Sequence, residues 1–111
     1  MIAGFIIEGS GEQTVAVRAI GPSLANYGVP NPLADPTIEL VRQSDHATLA
    51  INDNWKDAAN ASDLAASGFA PSNDLESAIL IKLPPGAYTA VMKGARGTTG
   101  NGVVEVYRVS N

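Results

Sequence analysis

The chain has no cysteine, which excludes disulfide staples, thiolate zinc sites and cysteine nucleophiles together. Aromatic residues make up only 5% of its 111 residues, so the core has to be built from aliphatic side chains and alanine. Charged residues reach 16%, below the roughly 25% of an ordinary soluble domain. Lysine and arginine are scattered without a run or stripe, so the footprint of a nucleic-acid-binding protein is missing. The net charge of −4 also disfavours anionic membrane surfaces. No segment approaches the ~20 apolar residues of a membrane span, which predicts no membrane insertion. No signal peptide is expected in these residues, because Met1 leads straight into Ile2-Ala-Gly-Phe-Ile-Ile7 with no basic stretch. That opening predicts the first strand of a domain. Met1 then either replaces another residue at an artificial boundary or starts a fragment of a longer protein.

What the chain does have is a succession of short β-rich runs, enough for one domain over residues 1–111. Residues 2–8 and 13–20 are joined by Gly9-Ser-Gly-Glu12, which predicts a hairpin. Within the second run Val15, Val17 and Ala19 share one face. Gly21-Pro-Ser-Leu24 breaks the pattern, and Pro30, Pro32 and Pro36 predict a loop that crosses between sheets. Strands follow at 37–42, with Ile38 and Leu40 inward, and at 47–51, 75–83, 87–93 and 103–109. Residues 57–66 are mostly helix formers and predict a short helix ended by Ser67-Gly68, with Phe69 plugging the connection into the core. Gly94 to Gly102 reads as a flexible tip. Seven or eight short strands separated by turn signals predict an all-β fold, a jelly-roll-like antiparallel β-sandwich with one short helix in a long connection.

Ser23, His46 and an aspartate are the ingredients of a hydrolase triad. However, Ile20-Gly-Pro-Ser-Leu24 lacks the second glycine of a nucleophile elbow, and His46 falls in a hairpin turn. No enzymatic activity is expected. Asp53 and Asn54 follow one strand, while Asn73, Asp74 and Glu76 precede another. Asp53, Asn54, Asp74 and Glu76 are candidate ligands for a structural calcium ion, which takes about 6–8 oxygens. The same residue types also close turns and cap helices without any metal. Trp55 is either a sugar-stacking platform or a core plug, and with Asn73 and Asp74 it forms the candidate ligand surface. Arg18, inside an apolar strand, reads as a structural arginine pairing with a carboxylate or loop carbonyls, with anion binding as the alternative.

Asp35-Pro-Thr-Ile-Glu-Leu40, Leu49-Ala-Ile-Asn-Asp-Asn-Trp55, Glu76-Ser-Ala-Ile79 and Leu83-Pro-Pro-Gly-Ala-Tyr-Thr-Ala-Val91 resemble bacterial pre-peptidase C-terminal domains. Those are secreted β-sandwich modules appended to proteases and other exported proteins. The family pattern has a Leu-x-Leu strand, an Asn-Asp-Asp loop, an Asp-Ser strand start and a Leu-Pro-Ala-Gly-Thr-Tyr turn. This chain carries Asp53-Asn54 in the second and Glu76-Ser77 in the third, so Asn54 departs from the acidic pattern. The front, with Val17-Arg-Ala-Ile-Gly-Pro-Ser-Leu24, is similar instead to modules, often tandem, in large exported proteins of environmental bacteria. The resemblance implies a secreted or cell-surface module, non-catalytic, for adhesion or accessory binding of an extracellular polysaccharide or matrix protein. The alternative is a subunit or repeat of an extracellular fibre or surface layer, whose partners are copies of itself through exposed strand edges.

Overall fold

A computed structural model describes residues 1–109 of the chain. Among the described residues, seven strands form two antiparallel sheets. They are β1 (Ile2–Ile7), β2 (Gln13–Ile20), β3 (Pro36–Arg42), β4 (Ala47–Asn52), β5 (Ser77–Leu83), β6 (Gly86–Gly94) and β7 (Val103–Arg108). The first sheet has the order β1-β6-β3-β4 and the second β5-β2-β7. One α-helix, α1 (Ala61–Ser67), lies in the long connection from β4 to β5. Among the described residues, no helix is long and apolar enough to cross a membrane.

The alternation read in the sequence is the alternation that builds the core. Val15, Val17, Ala19 and Ile79 from one sheet meet Ile38, Leu40, Tyr88, Ala90 and Met92 from the other. Phe5 and Ile7 of β1 pack against the same cluster, with the Phe5 ring stacked at 5.6 Å on Tyr88. Side chains of a strand point alternately to opposite faces, so each run needed only one apolar face to join this layer.

The second sheet is covered on its outer side as well. Ala16 and Ala78 are buried, although they face away from the core shared by the sheets. The β4–β5 connection folds over them. Asn60 Nδ2 donates to the carbonyl of Leu80 at 2.9 Å, and Phe69 packs on Tyr107 at 5.0 Å. Leu64 is the buried residue of α1, whereas Phe69 is only half-buried, so the plug of this connection is the leucine. The helix ends where its glycine signal said: Gly68 adopts φ 84°, the left-handed conformation that glycine takes at a helix C-terminus.

Three expectations need correction. Residues 2–8 and 13–20 do not form a hairpin, because β1 pairs with β6 while β2 pairs with β5 and β7. A short glycine-rich loop is able to cross the ~10 Å between stacked sheets as easily as to reverse a strand. The helix starts later than expected, because Trp55–Asp57 forms a separate 3₁₀ turn first. The segment from Gly94 to Gly102 is tied down: Leu33 donates to Asn101 O at 2.7 Å, and Asn101 donates to Asn31 O at 2.8 Å.

Candidate functional site

The polar residues of interest gather where β2 ends and β5 begins. Gly21 breaks β2, and a β-carbon there would lie 2.1 Å from Leu33 O, so only glycine lets the two backbones approach. Pro22–Tyr27 then winds as a 3₁₀ helix, with proline in its first turn where an amide is dispensable. The freed amides of Gly21 and Ser23 both point at Glu76, each donating to Oε2 at 2.9 Å. Ser23 Oγ donates to Oε1 at 2.6 Å, and the Asn73 amide reaches the same oxygen at 3.3 Å. Glu76 is 0% exposed, so this carboxylate is an internal clasp between loops. A buried carboxylate is tolerated when donors surround it.

That geometry reassigns the expected metal ligands. Glu76 faces inward and its oxygens are fully engaged, so it is not an outward ligand. Asp74 is ion-paired to Lys56 at 2.9 Å, and Asn54 Nδ2 turns toward Asp57 at 3.4 Å. Asp53 faces Asp35 instead, and burial followed by the Asp53 charge raises the pKa of Asp35 above the ordinary carboxylate value. Asp35 Oδ1 is buried without a hydrogen-bond partner, while Oδ2 lies 3.6 Å from Arg96. Among the described residues, no three acidic or histidine side chains gather at one point, and the Oδ1 of Asn54 is buried without a hydrogen-bond partner.

The expected ligand surface divides in the same way. Trp55 is half-buried, its amide donates to Glu76 O at 3.0 Å, and Lys56 lies 5.8 Å from its ring centre. Asn73 Oδ1 accepts the Leu75 amide at 2.9 Å, closing a local turn. Trp55 and Asn73 thus hold the loop in place, and Asp74 with Lys56 forms its solvent-facing rim.

A concave surface lies beside this loop. Arg18, Ser23, Tyr27, Ser72 and Glu105 line a groove of about 350 Å³. Tyr27 stands on it 82% exposed. Arg18 is held in place: Nε and Nη2 both donate to Glu105 Oε1, at 3.0 and 2.5 Å, and Nη1 reaches Phe69 O at 3.4 Å. Its guanidinium also lies 5.2 Å from the centre of the Tyr107 ring. The structural pairing expected for Arg18 is present, with Glu105 as the carboxylate. Tyr27 gave no signal in the sequence beyond standing among prolines and glycines in a loop.

The other triad ingredient is distant. Ser23 follows β2 at the end where β3 starts, whereas His46 is exposed in the turn after β3, at φ 58°. Seven strand residues separate those ends, a span of about 20 Å. Ser23 Oγ is taken up by Glu76 and by Ser72 Oγ at 2.7 Å. No family model matches this chain, and no curated protein or solved structure matches it either.

Proposed function

We propose that this chain is a non-catalytic extracellular β-sandwich module that binds polysaccharide or matrix surfaces through the groove beside Tyr27. The carrying observation is an aromatic ring 82% exposed at the edge of a concave surface lined by a fixed guanidinium–carboxylate pair. An aromatic face supplies apolar contact area to the C–H face of a sugar ring. Convergent polar groups such as Glu105, Ser72 and Arg18 supply the donors and acceptors that sugar hydroxyls require. The non-catalytic part is supported by Ser23, whose hydroxyl is committed to Glu76, and by the remote position of His46. The likeness to modules of exported proteins supports the extracellular setting. Glycan and matrix-protein arrays probed with wild type, Tyr27→Ala and Trp55→Ala test the proposal. Binding that is lost with Tyr27→Ala and retained with folded Trp55→Ala is expected, and blank profiles for all three proteins sink it.

A second reading, a self-assembling structural subunit, is favoured by one specific observation. β1 is an edge strand whose residues Ile2 and Ile6 are 69% and 68% exposed.

A further inference from the structure

The four outer strands of the two sheets are not equally open. On β5 the Leu80 carbonyl is capped by Asn60 Nδ2, beneath the connection that carries α1. The strand β7 carries Glu105 and Arg108. The pairing that holds β4 is broken by a register shift between Leu40 and Val41. Charges, bulges and covering segments are the usual means of blunting a sheet edge. The Ile2–Ile7 strand has none of them, with no charge and no proline, and its register to β6 is unbroken.

The direction of its free backbone groups follows from the ladder. Met1 and Met92 exchange both hydrogen bonds, Met92 N to Met1 O at 2.8 Å and Met1 N to Met92 O at 3.1 Å. Hydrogen-bonded and non-bonded pairs alternate along an antiparallel ladder. Ala3↔Ala90, Phe5↔Tyr88 and Ile7↔Gly86 are therefore the next bonded pairs. Ile2, Gly4 and Ile6 consequently direct their amides and carbonyls away from β6, toward the open edge.

We infer that this edge pairs with the same edge of a second copy of the chain, β1 against β1 antiparallel about a two-fold axis at Gly4. This takes the assembly reading to one interface and is independent of the groove. In that register Ile2 lies opposite the partner's Ile6, Gly4 opposite the partner's Gly4, and Ile6 opposite the partner's Ile2. These are the residues with outward-facing groups, so every one of them exchanges bonds. The exposed isoleucines come side by side on the outer face, and on the inner face the small Ala3 meets the larger Phe5. The pattern is self-complementary, as a two-fold interface must be. No charge is buried within the strand, and the two four-stranded sheets become one continuous sheet.

Sedimentation equilibrium over a wide concentration range tests the interface. Wild type is expected to pass from monomer to dimer. Gly4→Pro removes an amide that faces the open edge and leaves the bonds to β6 intact, and a β-carbon at Gly4 meets no atom closer than 3.9 Å. It is expected to weaken dimerisation by roughly tenfold or more. Ile2→Lys and Ile6→Glu alone each weaken it, and the double variant regains it, because the register places each introduced lysine against an introduced glutamate of the partner. Circular dichroism verifies folding. If Gly4→Pro unfolds, the charge pair decides, since Ile2 and Ile6 are exposed. A wild type that stays monomeric overturns the inference, as does a double variant no better than its parents. Fibres that form equally well in the charged single variants remove this interface while leaving assembly through another edge standing.

Discussion

Ser23 and Glu76, 53 residues apart, are bound to each other twice. The serine amide donates to Oε2 at 2.9 Å, and its hydroxyl donates to Oε1 at 2.6 Å. The pair fastens the loop after β2 to the start of β5, and the Gly21 and Asn73 amides complete the donor set. Glu76→Ala leaves those donors buried and unpaired, and is expected to cost about 3–5 kcal/mol. Ser23→Ala removes one charge-assisted bond and is expected to cost about 1.5–3 kcal/mol. Urea unfolding measures both, and a Glu76→Ala midpoint equal to wild type would contradict the clasp.

Tyr27 and Trp55 should separate binding from stability. The ring of Tyr27 is solvent-exposed, so Tyr27→Ala is expected to shift stability by no more than about 0.5 kcal/mol. Trp55 is half-buried beneath Lys56, and Trp55→Ala is expected to lose about 1–2 kcal/mol. Thermal melts of the two variants, run beside the binding arrays, show whether the two effects divide as stated.

Arg18 and Glu105 join β2 to β7 in the lining of the groove, with both side chains partly open to solvent. A double-mutant cycle with Arg18→Met and Glu105→Gln is expected to return a coupling of about 0.5–1 kcal/mol, reduced by salt. A coupling of zero would mean that the groove is not held by this pair.

Two carboxylates set opposite pH trends. Asp45 is held down to about 2, chiefly by its hydrogen bonds from Arg42 and then by the Ala47 amide. Its contribution is therefore present above the ordinary value of 3.8 and is lost as pH falls through about 2. Asp35 is raised by burial and by the charge of Asp53, so the folded state binds its proton more readily than the unfolded chain. That cost exists at neutral pH and is relieved as pH drops through the raised value. Asp53→Asn is expected to raise the melting temperature at pH 7, by a margin that shrinks as the pH falls and Asp35 takes up its proton. Melts across that range check the sign, and a lower melting temperature at pH 7 would refute it.

The sandwich was legible because a sheet with one buried face writes period-two alternation into its strands. Ile38 and Leu40, and Val15 and Val17, stand where that pattern put them, and α1 ends at the glycine that signalled its stop. Pairing was less legible. Gly9-Ser-Gly-Glu12 specifies that the chain turns, and partner choice depends on Phe5 and Ile7 reaching Tyr88, which lies far along the chain. Glu76 was misread for a related reason. A glutamate after Asn-Asp-Leu resembles a surface acid until the amides of Gly21 and Ser23 are brought to it by the fold. The available signal was a glycine–proline–serine break, which exposes backbone donors, together with an acid immediately preceding an apolar strand.

The topology also sets how the chain comes to be folded. Only β3 and β4 are paired strands that follow one another in sequence, while β1 waits for β6, and β2 for β5 and β7. Closing such distant pairs takes most of the chain at once, so the search is governed by loop closure and belongs to the slow, millisecond-to-second regime of all-β domains. During synthesis β1 and β2 leave the ribosome long before β6 and β7 exist. Their apolar runs remain unpaired through that interval, when chaperone capture matters most.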